Sequence, residues 1–313
     1  ATKGFDFRGE KAKLLFGGAY TYKERDFNIR SFALNIRSPW DFTGNPNELF
    51  YPENLWPRNG SVNAGTTYEA RFVHTNPNKF NSSVNMMAGY ISAEFSPFNN
   101  FKTILGVRME NYIQRYTGQD QLGNNVLDND KVLDDVDFFP SVNFIYSLTD
   151  DQNLRFSYTR TIARPSFKEL SYAEIFDPIT GRTFIGGLFE DADPVAEIVY
   201  WDGKLISTKI DNFDLRWELF RPGGQTISVS GFYKSFKDPI ELVQYTTLVG
   251  AFQPRNVGDG QVFGMELEVR KNLEFISILM QNFSVNANFT WTESRIKLSP
   301  TEYQSRIDNA REG

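Results

Sequence analysis

Carboxylates are the densest chemical groups in this 313-residue chain. Asp128, Asp130, Asp134, Asp135 and Asp137 fall within ten residues of one another. Several carboxylate oxygens from one short segment can hold Ca²⁺. The run lacks the turn glycine and closing glutamate of a Ca²⁺ loop, so a solvated acidic loop is the simpler reading. Asp128, Asp130 and Asp134 stand only as weak metal candidates. Glu266 and Glu268, two apart, are the kind of pair a glycosidase uses as acid and base. Their neighbour Arg270 offers plainer work in ion pairing. His74 is the sole histidine and there is no cysteine. That excludes multi-His metal sites, thiolate zinc, Fe–S clusters, disulfides and cysteine nucleophiles. No serine has a plausible base. The chain reads as no enzyme and calls for no cofactor.

Aromatic rings offer binding instead. Trp40, Phe42, Phe50, Tyr51 and Trp56 are interleaved with Pro39, Pro46, Pro52 and Pro57. Such rings can stack on a sugar or an aromatic chelate, against the plainer alternative of a loop packed on itself. The net charge of −6 argues against nucleic acid as a partner.

The elements that must position these groups alternate with period two. Phe283, Val285, Ala287, Phe289 and Trp291 alternate with Ser284, Asn286, Asn288, Thr290 and Thr292. Phe213, Leu215, Trp217 and Leu219 alternate with Asn212, Asp214, Arg216 and Glu218. Phe263, Met265, Leu267 and Val269 alternate with Gly264, Glu266, Glu268 and Arg270. These are strands with one apolar and one polar face. About nine are expected, near 12–35, 83–96, 101–117, 138–148, 153–163, 210–220, 226–234, 261–272 and 283–298. Short connections (97–100, 149–152, 221–225) alternate with long ones (36–82, 118–137, 164–209, 236–260, then 299–313). That is an up-and-down antiparallel sheet with its long loops at one end.

Periodicity alone does not separate a soluble sandwich, such as a carbohydrate-binding module, from a membrane β-barrel. The longest apolar run, Phe275–Met280, is far short of a membrane-spanning helix, which leaves a barrel as the membrane route. Three features favour it. The polar face carries charges of both signs, at Arg108, Glu110, Arg155, Asp214, Arg216, Glu218, Glu266, Glu268 and Arg270, which suits a wet lumen. Several strands are long for a soluble protein. Aromatics (Tyr20, Tyr22, Phe95, Tyr146, Tyr158, Phe220, Trp291) sit near strand ends, where interfacial girdles lie.

Four stretches resemble the barrel of TonB-dependent outer-membrane receptors of the Bacteroidota type. They are Gly106–Glu110, Leu154–Leu170, Phe232–Glu241 and Asn256–Leu273. The most specific are TRTIARPSFKEL, with Arg160, Arg164 and Pro165, and NVGDGQVFGMELE, with Asn256 and Gly264. The resemblance implies an all-β fold, a 22-stranded antiparallel transmembrane barrel of which residues 1–313 cover about nine strands, without the plug domain. It implies TonB-coupled import of a scarce solute (a siderophore, vitamin, oligosaccharide or peptide) across the outer membrane of a Gram-negative bacterium. The partners it implies are TonB–ExbB–ExbD through an N-terminal region, lipid and lipopolysaccharide, and a surface lipoprotein lid. Solute contacts would lie in the outer loops, with Trp40, Phe42, Tyr51, Trp56, Arg164, Arg182 and Tyr245 as candidates.

Overall fold

The computed structural model describes residues 1–30, 32–37, 43–70, 76–177, 179–195, 197–245, 248–298 and 303. Its strands are β1 (Thr2–Phe7), β2 (Glu10–Asn28), β3 (Phe32–Arg37), β4 (Gly65–Ala70), β5 (Lys79–Phe98) and β6 (Phe101–Gln119). Next come β7 (Val126–Thr149), β8 (Gln152–Ala163), β9 (Glu174–Asp177), β10 (Arg182–Ile185), β11 (Asp191–Asp193) and β12 (Ile198–Trp201). The last are β13 (Thr208–Arg221), β14 (Gln225–Lys237), β15 (Ile240–Gln244), β16 (Ala251–Asn256), β17 (Gly260–Asn272) and β18 (Ser284–Ile296).

Ten of these form one antiparallel sheet in the order β1-β2-β5-β6-β7-β8-β13-β14-β17-β18. It is an open wall with β1 and β18 at its edges. The nine expected strands are all present and β1 is an addition, but the first ends at Asn28 and not near residue 35, because β3 leaves the wall to pair with β4. The expected loop 118–137 is corrected. Only residues 120–125 lie outside strands there, and β7 runs through the acidic stretch. That short loop is closed by Asp120, whose carboxylate accepts from the backbone N–H of Leu122, Asn124 and Asn125.

The register fixes the two faces. Phe213 pairs with Tyr158 and Tyr233, Leu215 with Phe156 and Gly231, and Trp217 with Leu154 and Val229. This face stays bare: Phe213, Leu215, Phe289 and Trp291 are all exposed. A soluble sandwich would bury them under a second sheet, so that reading is set aside. Towards the long-loop end, tyrosine hydroxyls on this face donate to polar partners: Tyr20 to Asn85 (2.8 Å), Tyr158 to Asp211 (2.8 Å) and Tyr233 to Gln261 (3.3 Å). Towards the short-turn end, Phe101 lies against Phe144 (5.6 Å) and Tyr146 (6.2 Å). These two rings of aromatics bracket an aliphatic band, as in a membrane barrel. Phe220 departs from the expectation. Its strand parity places it on the polar face.

The glycines of the 256–273 motif have steric reasons. A Cβ at Gly264 would collide with the Trp291 carbonyl oxygen and the Phe232 ring, and one at Gly258 with the Lys297 carbonyl oxygen. Only glycine lets β17 lie this close to β18.

Candidate functional site

The polar face carries two ladders of charge. In the first, Glu110 and Asp137 are direct cross-strand neighbours, a repulsive arrangement on its own. Arg164 lies between them. Its Nη1 donates to Glu110 (2.8 Å) and its Nη2 stands 3.5 Å from Asp137. Arg108 Nε also donates to Glu110 (2.7 Å). The Arg164 guanidinium lies 4.3 Å over the Tyr112 ring. Pro165 explains its position. Proline cannot extend the ladder, so β8 stops at Ala163 and the chain turns across the wall top.

In the second ladder, Arg155 and Arg216 are opposed, and Glu218 accepts from both, at 2.5 and 3.0 Å. Arg216 reaches on to Glu268 at 3.1 Å. Asp214, Glu266 and Arg270 share this face and are exposed. Glu110, Asp137 and Glu218 are buried, whereas pairs with an exposed partner, as at Glu268, contribute only about 0–1 kcal/mol each. What they provide is a wettable, charge-balanced surface.

Above the wall stands a lobe made from two connections, 164–207 and 238–259. The hairpin β9–β10 joins the hairpin β15–β16 through a parallel β10–β16 contact, in the order β15-β16-β10-β9. Gln253 is fully buried and donates to the carbonyls of Gly186 (3.0 Å) and Phe189 (2.9 Å). Arg255 donates to Gln253 (2.9 Å) and pairs with the Asp191 carboxylate. Their side chains are 7% and 0% exposed, so this pair is buried more deeply than the ion pairs of Arg164 on the wall.

Two asparagines imitate a strand edge. Asn256 accepts from Ile206 N–H (2.8 Å) and donates to its carbonyl (3.0 Å) and to that of Asp238 (2.7 Å). Asn78 accepts from Glu174 N–H (2.8 Å) and donates to its carbonyl (2.7 Å).

The lobe is seated on the wall by two apolar clusters. One holds Phe80, Tyr116, Tyr172 and Ala173, the other Leu133, Leu170 and Leu205. Burial pushes the Tyr172 hydroxyl and the Glu174 carboxyl above their ordinary pKa values. The Thr180 hydroxyl, donating at 2.7 Å, holds Asp177 below its own.

The candidates named from sequence fall in different places. Arg182 and Tyr245 belong to the lobe. The Arg182 guanidinium lies 5.1 Å over the Phe252 ring, and the Tyr245 hydroxyl donates to the Glu190 carbonyl (2.5 Å). Arg164, the first residue past β8, packs back onto the wall. Tyr51 and Trp56 belong to the 29–78 connection and are exposed. Trp56 Nε1 donates to the Val62 carbonyl (2.8 Å). Trp40, Phe42 and His74 lie outside the described residues.

The acidic run forms no cage. No three acidic or histidine groups among the described residues come together to hold a metal ion. Strand geometry is the reason, because it sends successive side chains to opposite faces. Asp134 pairs with Lys131 (2.6 Å), whereas Asp135 accepts from Ser207 (2.7 Å) on the other face. Asp191, Gln253, Arg255 and Asn78 carry no signal in the sequence, because their partners are distant in the chain. Asn256 is visible there only as the first residue of a motif.

The family model for the β-barrel of TonB dependent receptor-like proteins matches residues 2–312. A search of curated protein sequences found no match. Among solved structures, the unliganded ferric citrate transporter FecA is similar with a TM-score of 0.58 at 15% identity, over 95% of this chain and 34% of that one. The pyoverdine outer membrane receptor FpvA from Pseudomonas aeruginosa PAO1 gives 0.57 at 16% identity, over 95% and 35%. The FrpB iron transporter from Neisseria meningitidis gives 0.52 at 15% identity, over 96% and 36%. The chain therefore spans about a third of the length of these structures. It belongs to the TonB-dependent receptors, and its ten-stranded sheet is a sector of their transmembrane barrel.

Proposed function

We propose that this chain forms the wall and the outer-loop lobe of a receptor that imports a scarce solute across the outer membrane of a Gram-negative bacterium. One observation carries the reading. A family-matched sheet has one bare apolar face and one face laid with ion pairs, and an ordered lobe stands at a single end. The apolar face meets lipid, with lipopolysaccharide at its upper rim. The charged face, from Arg108 and Glu110 to Glu268, lines the lumen. The lobe faces outward. Import is driven by TonB–ExbB–ExbD acting on a plug domain, and the barrel makes and breaks no bonds. A lipoprotein lid and a Bacteroidota-type affinity rest on the motif strings alone.

For the solute we favour a ferric chelate over a vitamin, oligosaccharide or peptide. FecA, FpvA and FrpB are named for ferric citrate, pyoverdine and iron, and they supply the support for that choice. A strain lacking the receptor, grown under iron limitation on ferric citrate, a ferric hydroxamate or a ferric catecholate, should fail on one of them. Loss of growth only on maltodextrin or peptide would move the solute to those classes. Unchanged growth on every solute would overturn import.

A further inference from the structure

Five of the wall's turns lie at the short-turn end, and four of them are tight. They are carried by Arg8–Gly9, Asn99–Asn100, Asp150–Asp151 and Pro222–Gly224. The fifth, between β17 and β18, is residues 273–283. It is built differently, from two 3₁₀ turns, Leu273–Phe275 and Ile278–Met280. Leu279 is 85% exposed and Phe275 is 67% exposed, with Ile276, Ile278 and Phe283 close behind.

This display is ordered. Asn272 accepts from Glu274 N–H (2.6 Å) and Ser277 from Leu279 N–H (3.3 Å). The N–H groups of Ile276, Met280 and Phe283 donate to carbonyls within the turn. The backbone is thus largely satisfied internally, which is what a segment leaving water requires, while the apolar side chains point away.

We propose that residues 273–283 are a membrane-interface anchor, seated among the lipid headgroups and upper acyl carbons of the leaflet at the short-turn end. The occupant follows from continuity with the bare face. The Leu273 N–H donates to the Phe283 carbonyl (2.9 Å), one step beyond the Asn272–Ser284 pair that closes the ladder. Phe283 thereby continues the outward series Val285, Ala287, Phe289 and Trp291. Lys271 ends the outward series of β17, and its ammonium lies 5.4 Å from the Phe275 ring. That is the posture of a lysine with its stem in an apolar layer and its charge in water.

Depth agrees. From Phe263, the register partner of Tyr233 in the upper girdle, to Leu273, the strand descends about 25 Å at ~3.4 Å per residue and a tilt of roughly 40°. That is the height of the apolar band of an outer-membrane barrel, so the turn lies at its lower edge. The inference needs the membrane barrel and is independent of what is imported.

Nitroxide labels test it in the intact receptor, placed in bilayer discs of phosphatidylethanolamine and phosphatidylglycerol. This chain has no cysteine of its own, so Leu279→Cys and Ile276→Cys carry the probe. Phe289→Cys is the lipid reference and Asp150→Cys the water reference, and heat-modifiable gel mobility reports folding. Labels at 279 and 276 should collide with oxygen several-fold more than with a water-soluble nickel chelate, as at 289 and unlike at 150. Nickel accessibility equal to that at 150 would overturn the anchor in favour of a solvated turn. Shielding from both reagents would overturn it in favour of a protein partner.

Discussion

Removing Tyr116 should loosen the lobe without touching the wall. The residue is 0% exposed. Its ring lies 5.2 Å from Phe80 and 6.1 Å from Tyr172, and its hydroxyl accepts from the Tyr172 N–H at 3.2 Å. Tyr116→Phe keeps the packing and strands that buried N–H, at a cost of about 1–3 kcal/mol. Tyr116→Ala also empties an aromatic's volume, and about 3–5 kcal/mol is the usual cost. At ~1.4 kcal/mol per tenfold, these correspond to roughly 5- to 150-fold and roughly 150- to 5,000-fold easier local opening. Hydrogen exchange resolved by mass spectrometry reads this on residues 170–189, with β13 and β14 as the internal standard. An Ala variant that leaves those amides as protected as before would refute this role for the ring. Protection lost equally throughout the barrel would refute it too, since the ring would then hold the wall and not the lobe.

Three further outcomes follow from the same geometry. Asn256→Ala removes three hydrogen bonds that tie 206 and 238 to β16, so proteolytic cleavage within 202–207 and 236–240 should accelerate by about 1–3 kcal/mol of local stability. Burial raises the folded-state pKa of Glu174 above its ordinary value. Its contribution is therefore full at low pH and fades as pH climbs through the raised value. Protection of β9, corrected for intrinsic exchange, should be greater at pH 5 than at pH 7, and Glu174→Gln should flatten that difference. On the two faces of β18, Phe289→Lys puts a charge into lipid and should cost about 2–4 kcal/mol of folding in bilayers, whereas Thr290→Lys should cost little. Equal costs would reverse the face assignment.

The wall was legible because a face that meets lipid demands unbroken alternation, and Phe283 to Trp291 shows it residue by residue. The β1 strand is too short for that signal. Much of β7 was hidden because it stands where both faces are polar. At Asp134 and Asp135, alternation carries no hydropathy contrast. The lobe was legible only as two long connections, near 164–209 and 236–260, and not as an ordered body. Its strands are three to six residues long, and the β10–β16 contact that joins its hairpins pairs residues 68 apart, as in Thr183 with Ala251. Pro165 marks the end of β8 in the sequence and so the place of Arg164. The two carboxylate partners of Arg164, on β6 and β7, were not legible. The buried Arg255–Asp191 pair left no trace, since one arginine among many looks the same whether it ends in water or in a core.

Energy-coupled passage through this barrel is read most directly from accumulation of a radiolabelled ferric chelate. The chelate to use is the one whose growth depends on the receptor. Cells with the receptor and an intact TonB system should bind the label and accumulate it. Cells lacking TonB, or treated with a protonophore, should bind it at the surface and accumulate none. Equal accumulation with and without TonB would make the barrel a passive pore and overturn energy-coupled import.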